Sequence, residues 1–126
     1  MKERTLTKVE FQIMSILWDL GHPACGHDIL ERYPEPKPTY TTIASYMRIL
    51  FEKGFVEYTK REGEGKTQWY KATLSRQDYT RQTMQEVKRN FFDGSLKSMF
   101  CFFVQEEKLS ADDIQQLLDE INRKQP

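Results

Sequence analysis

The sequence predicts a mainly α-helical protein in two parts: three helices and a small β-hairpin in residues 1–74, then three helices in residues 75–126. Apolar residues recur at helical spacing as far as Gly54, and a stretch with a period of about two residues follows around a Gly-Glu-Gly turn. Beyond residue 74 the spacing is helical throughout. A length of 126 residues, with 38% hydrophobic and 30% charged residues, is typical of a folded chain of about one domain.

The first two helices are marked by their end signals. Thr7 and Glu10 form a capping box at the start of the first helix, and Gly21 ends it. Between them, apolar residues at i, i+3, i+4 and i+7 predict one buried face: Ile13, Ile16, Leu17 and Leu20. A short second helix is expected around residues 27–33, and the prolines of the following YPEPKP segment predict an extended connector.

The third helix, expected between Thr39 and Gly54, has two unequal faces. Ile43, Met47 and Leu50 share the side that we predict to be buried. The opposite side carries short hydrogen-bonding residues and one guanidinium: Thr41, Ser45 and Arg48, with Thr42 on one shoulder. Such residues have lower helix propensity than the Lys and Glu usual on exposed faces, so we interpret this side as a contact surface.

A basic hairpin follows the third helix. Residues 37–71 contain seven basic and four acidic side chains, although the whole chain carries 19 of each and has no net charge. Three helices followed by such a hairpin, or wing, form the layout of a winged helix-turn-helix domain, whose last helix enters the major groove of DNA. We therefore predict that Thr41, Thr42, Ser45 and Arg48 read bases, and that Lys37, Lys60, Arg61 and Lys66 contact phosphates.

The C-terminal part is predicted to be a helical dimerisation domain. Ser75 and Ser110 begin capping signatures for two of its helices, and the helix between these two is apolar on nearly every side. Three helices in about fifty residues make a marginal core, so their apolar surface should be buried against a second copy or, alternatively, against the N-terminal domain. The residues expected to pair are Leu96, Met99, Phe100, Phe103, Val104, Ile114, Leu117, Leu118 and Ile121.

Three segments carry a resemblance to a known family: LTKVEFQIMSILWDLG, YTTIASYMRILFEKGFVEYTKREG and SLKSMFCFFVQEEKLSADDIQQLLDEI. Taken in this order, they resemble the penicillinase-repressor (BlaI/MecI) family of bacterial transcriptional regulators over nearly the whole chain. The resemblance implies a homodimeric repressor on inverted repeats in promoters of β-lactamase or related antibiotic-resistance genes. It also implies that a membrane sensor protease triggers cleavage of the repressor and its release from DNA.

The chain departs from the family pattern at two places. Family members often carry Arg immediately before the leucine that corresponds to Leu50, but here Ile49 stands there and the arginine is Arg48. The family's half-sites, commonly TACA and TGTA, are therefore expected here only in related form. The family's cut bond typically follows Asn, whereas the aligned pair here is Phe102 and Phe103.

Other function classes have less support from the sequence. His22, Cys25 and His27 suggest a metal-responsive repressor, but no cysteine pair or further histidine completes such a site, and we expect no metal or cofactor. A winged-helix protein-interaction module is favoured by the zero net charge and by acidic residues near the contact surface. No catalytic motif indicates an enzyme. Without a signal peptide or a membrane-spanning segment, and with two cysteines far apart, a cytoplasmic protein with free thiols is expected.

Overall fold

The computed structural model describes residues 5–124 and confirms the predicted fold class. In order along the chain, the elements are α1 (Lys8–Leu20), α2 (Gly26–Arg32), α3 (Tyr40–Glu52), β1 (Val56–Lys60), β2 (Gln68–Ala72), α4 (Arg76–Phe92), α5 (Leu96–Glu106) and α6 (Ala111–Lys124). The chain divides into two compact units, the first ending at Gln82 and the second beginning at Thr83. The first unit therefore contains the three helices, the hairpin and the start of α4.

The predicted helix ends are present in the structure. The Thr7 N–H donates to the Glu10 carboxylate at 2.8 Å, and the Glu10 N–H donates to the Thr7 hydroxyl at 3.3 Å, which completes the capping box of α1. Gly21 ends α1 in the left-handed region at φ 70°. The Thr39 hydroxyl accepts from the Thr42 N–H at 3.2 Å and caps α3. Local sequence signals thus determine where these two helices begin.

The wing is an antiparallel hairpin of two strands, and a single residue from another part of the chain pairs with its second strand. β1 pairs with β2 in the register that sets Tyr58 opposite Tyr70. On the other side of β2, Ala24 exchanges backbone hydrogen bonds of 2.9 and 2.8 Å with Tyr70. This bridge ties the connection between α1 and α2 to the wing, and the sequence did not predict it.

The core of the first unit collects the predicted apolar faces. Ile13, Ile43, Met47 and Leu50 are fully buried together with Phe55. They lie in one cluster that also includes Tyr79, from the first turns of α4. The Tyr79 hydroxyl accepts from the Leu6 N–H at 3.0 Å, so α4 is joined to the start of the chain. Helix α3 is therefore held to the domain by its apolar face.

A buried ion pair also anchors α3. The Glu10 carboxylate, 3% exposed, lies 2.7 Å from the Lys53 ammonium at the end of α3. Burial by itself raises the pKa of Glu10, but the hydrogen bond and charge of Lys53 and the bonds from Thr7 outweigh it, so the pKa lies below its ordinary value. Sequence analysis identified Glu10 only as a capping residue and did not predict this pair.

The second unit contains amphipathic helices whose apolar sides remain accessible. Ser95 caps α5 through the Ser98 N–H at 3.0 Å, and Ser110 and Asp113 cap α6 through reciprocal bonds of 2.9 and 3.1 Å. Along α5 and α6, both of which lie within the described residues, no side chain is buried. These two helices therefore present their apolar surface unburied in the single chain.

Candidate nucleic-acid interface

Helix α3 exposes the polar side that sequence analysis predicted to be a contact surface. Its buried residues are Ile43, Met47 and Leu50, each with no exposed surface. Thr41, Thr42, Ser45 and Arg48 are all exposed. The division of α3 into an anchored face and an exposed polar face therefore follows the apolar periodicity.

An open cleft of about 620 Å³ lies between α3 and the wing. We call it the α3–wing cleft. Side chains from α3 form one wall, and residues of the hairpin form the other. The residues that line the cleft include Tyr40, Thr41, Ser45, Arg48, Phe51, Glu52, Tyr58, Lys66 and Gln68. The cleft therefore brings together three of the four predicted base-reading residues and one of the four predicted phosphate-binding cations.

Thr42 takes a different place from the other three residues of the polar face. It does not line the cleft, and its hydroxyl lies 2.9 Å from the hydroxyl of Thr39. The Thr42 N–H is bonded to the same Thr39 oxygen at 3.2 Å. Thr42 is therefore part of the cap of α3, although its side chain is still exposed.

The predicted phosphate contacts are spread over the wing and the connector. Lys66 lines the cleft, and Lys60 and Arg61 are exposed where β1 ends. The Arg61 guanidinium carbon lies 3.6 Å from the centre of the Trp69 ring. The Lys37 ammonium donates to the Glu31 carbonyl at 2.8 Å, which places it beside the end of α2.

Two other basic residues of this segment form ion pairs. Lys53 is paired with buried Glu10, and Lys71 lies 3.2 Å from Glu57 on the wing. Their charges are therefore largely compensated within the domain. The positive charge of the segment is concentrated on the arginines and on the remaining lysines.

Aromatic residues of the cleft were missed by sequence analysis. Tyr40, Phe51 and Tyr58 line it and are 44, 45 and 37% exposed. Sequence analysis assigned none of these three residues to the contact surface. Tyr70 lies deeper, where burial first and then the neighbouring Tyr40 and Tyr58 raise its pKa, and its hydroxyl donates to Gln68 at 2.6 Å. One sequence signal could have indicated that Tyr58 lines the cleft: it lies two residues into a strand next to α3.

The three residues considered as metal ligands have separate surroundings. The His22 ring nitrogen lies 2.9 Å from the Pro23 carbonyl, Cys25 is buried, and His27 stacks on Tyr40 with ring centres 4.1 Å apart. Within residues 5–124, no group of three His, Cys, Asp or Glu side chains is arranged to hold a metal ion.

The predicted dimerisation residues form exposed apolar surface on α5 and α6. Leu96 is 68% exposed, Phe100 and Phe103 are about half exposed, and so are the α6 residues Leu117, Leu118 and Ile121. Met99, Val104 and Ile114 are partly buried. Phe102 and Phe103, the aligned cleavage pair, are adjacent rings 5.3 Å apart within α5.

No helix in the described part of the chain is both long and apolar enough to cross a membrane.

Comparison with known proteins matches almost the whole chain to one family. The sequence profile of the penicillinase repressor family matches residues 6–123. The methicillin resistance regulatory protein MecI of Staphylococcus aureus strain N315 is 24% identical over 98% of this chain and 98% of its own length. A penicillinase repressor of Bacillus licheniformis is 23% identical over 89% of this chain and 85% of its own. Among solved structures, a MarR family regulator from Neisseria meningitidis has a TM-score of 0.45 at 17% identity, covering 91% of this chain and 80% of the other.

Proposed function

Because the chain belongs to the penicillinase repressor family and is a transcriptional repressor, we propose that it binds inverted-repeat operator DNA as a homodimer. In each protomer, α3 lies in the major groove and the wing contacts the adjacent backbone. The observation that carries this proposal is the α3–wing cleft, which the exposed Thr41, Ser45 and Arg48 line together with Lys66 of the wing. Members of the family act as repressors and not as enzymes, and they bind operator DNA as dimers.

Each polar residue of α3 has a chemically matched target in the groove. The Arg48 guanidinium can donate two hydrogen bonds to one guanine, and Thr41 and Ser45 can contact a thymine methyl or a phosphate. Glu52 lines the same cleft and would repel phosphate, so it should lie near the mouth of the groove. Lys37, Lys60, Arg61 and Lys66 supply charge to the backbone and little sequence information.

Dimerisation is supported by the unburied apolar side chains of α5 and α6. Phe100, Phe103 and Leu118 are between 46 and 49% exposed in the single chain. Contact between two copies would remove this surface from water. It would also link two DNA-binding domains, so the second half-site is bound at a high effective concentration. Half-sites should be separated by about one helical turn of DNA or a multiple of it.

Release by proteolysis is supported by the resemblance to the family and by the position of Phe102–Phe103. The bond between these residues lies in the interior of α5, so α5 must open locally before a protease can reach it. A cut there would divide the apolar surface that joins two copies. We propose a membrane sensor protease as the partner, β-lactamase or related resistance genes as the targets, and the cytoplasm as the site of action.

The experiment is a titration of labelled promoter fragments at several salt concentrations. One fragment carries an inverted repeat of TACA and TGTA half-sites, and a scrambled fragment of equal length is the control. The dissociation constant for the repeat should be lower, and its logarithm should rise steeply with the logarithm of salt concentration. Equal affinity for both fragments, or no dependence on salt, would favour an interaction module instead.

Two variants separate base reading from phosphate binding. Arg48→Ala should weaken binding to the repeat more than binding to the scrambled fragment, because Arg48 is assigned to a base. Lys66→Ala should weaken both alike and reduce the salt slope by about one for each protomer of the dimer. Equal losses on both fragments for both variants would contradict the role given to α3.

A further inference from the structure

Tyr40 has a defined position at the junction of α2 and α3. It is the first residue of α3, directly after the capping residue Thr39. Its ring stacks on His27 at a centroid distance of 4.1 Å and an interplanar angle of 17°. The other side chains predicted to read or bind DNA do not stack on a ring of α2 in this way. Tyr40 is therefore oriented by α2 as well as by its own helix.

Gly26, the first residue of α2, makes this position possible. A β-carbon on Gly26 would lie 2.9 Å from Cε1 of Tyr40, closer than real contacts allow, and 3.5 Å from both Cζ and the phenol oxygen. The tyrosine ring therefore lies directly against the α2 backbone. Any larger residue at position 26 would displace the ring, so glycine is required for this packing and not for an unusual backbone angle.

The hydroxyl of Tyr40 is available for an external partner. It makes no hydrogen bond to any residue between 5 and 124, although the side chain is 44% exposed and lines the α3–wing cleft. The neighbouring phenol of Tyr70, by contrast, donates to Gln68. Tyr40 thus has a fixed ring and a donor that remains unused within the described part of the chain.

We propose that Tyr40 is a DNA-contacting residue whose phenol donates a hydrogen bond to a backbone phosphate, and that Gly26 and His27 are the residues that position it. This inference rests on the proposed function. In a helix-turn-helix, the helix before the recognition helix crosses the DNA backbone while the recognition helix enters the groove. A residue that begins α3 and lies against the first residue of α2 is located where that strand of phosphates must pass. Tyrosine is one of the side chains that donate to phosphate oxygens.

The salt dependence of binding distinguishes a neutral hydrogen-bond donor from the cations of the wing. A lysine that binds phosphate releases a counterion, so its removal changes the slope of affinity against salt. A phenol releases none, so its removal weakens binding at every salt concentration by the same factor. The factor is on the order of tenfold for each half-site, as for a hydrogen bond to a charged group.

The test compares Tyr40→Phe with Tyr46→Phe on the repeat and scrambled fragments. Both variants remove one hydroxyl from α3, but Tyr46 is partly buried and does not line the cleft. Tyr40→Phe should raise the dissociation constant about tenfold per half-site with an unchanged salt slope, on both fragments because phosphates are common to them. Tyr46→Phe should leave both constants as in the wild type.

Gly26→Ala tests the positioning. It should weaken binding in the same way while the far-ultraviolet circular dichroism stays that of the wild type. Adding Tyr40→Phe to Gly26→Ala should then cause little further loss, because the displaced phenol no longer contacts DNA.

The results separate this inference from the function on which it rests. If the wild type shows no selective, salt-dependent binding, the proposed function itself fails. If the wild type binds selectively and Tyr40→Phe binds as tightly as Tyr46→Phe, only the assignment of Tyr40 is overturned. A Tyr40→Phe loss accompanied by a smaller salt slope would also overturn it, because that result indicates a displaced cation and not a lost neutral donor.

Discussion

Replacing Lys53 by Met should destabilise the N-terminal unit far more than its place at a helix end suggests. The Lys53 ammonium lies 2.7 Å from a Glu10 carboxylate that is only 3% exposed, and it also donates to the Thr5 carbonyl at 3.3 Å. Without it, a buried carboxylate retains only its hydrogen bonds from Thr7. Removal of one partner of a buried pair costs about 3 to 5 kcal/mol. Because the Lys53 side chain is 30% exposed, water compensates in part and the lower figure is expected.

The matched control is Lys71→Met. Lys71 pairs with Glu57 at 3.2 Å, but both side chains are more than half exposed. Exposed pairs contribute about 0 to 1 kcal/mol, so this variant should be almost as stable as the wild type. Urea unfolding followed by circular dichroism at pH 7 measures both free energies, at one protomer concentration because dimerisation also contributes to stability. An equal loss for Lys53→Met and Lys71→Met would refute the assignment of Glu10 and Lys53 as a buried pair.

A second variant identifies the origin of the loss. In Glu10→Gln/Lys53→Met no charge remains at the site, and the amide oxygen of Gln can still accept from the Thr7 N–H. The double variant should therefore recover a large part of the stability lost by Lys53→Met. If it were less stable than Lys53→Met, lost packing of the lysine stem would explain the effect better than an unpaired charge.

Three further predictions concern acid stability, capping and association. Because the folded-state pKa of Glu10 lies below its ordinary value of 4.5, its stabilising contribution is present above that value and is lost as pH falls through the folded-state pKa. The gap in unfolding free energy between wild type and Glu10→Gln should therefore shrink in acid, and a gap independent of pH would contradict this. Thr7→Ala should cost about 1 kcal/mol in urea unfolding through the lost cap, whereas an unchanged midpoint would show that the cap contributes nothing. Phe100→Ser should shift the protein from dimer to monomer in sedimentation equilibrium, and a persistent dimer would place the interface elsewhere.

The predicted parts of the fold are those specified by neighbours in sequence. The α1 capping box needs only Thr7 and Glu10, three residues apart, and the buried face of α3 needs only the spacing of Ile43, Met47 and Leu50. Helical periodicity and capping act over about one turn, so they can be read without knowing where the rest of the chain lies. The change from helix to hairpin after Gly54 is local in the same sense.

Two of the features that sequence analysis missed join distant positions. Lys53 meets Glu10 across 43 positions, and Ala24 pairs with Tyr70 across the wing. In the sequence, Glu10 has a sufficient local role as a cap and Lys53 is one more basic residue near the wing. Only the packing of α3 against α1 shows that this lysine is engaged inside the domain and is not one of the cations free for DNA.

The sequence by itself therefore determined the helices, the hairpin and the polar face of α3, because hydrogen bonding and apolar spacing within one turn or one strand specify them. The tertiary structure decided which of those residues share a cleft. It showed that Tyr40 lies against Gly26 and that Lys66 lines the same cleft as Arg48. These relations depend on how α2, α3 and the wing are packed in three dimensions, and the spacing of residues along the chain carries no record of that packing.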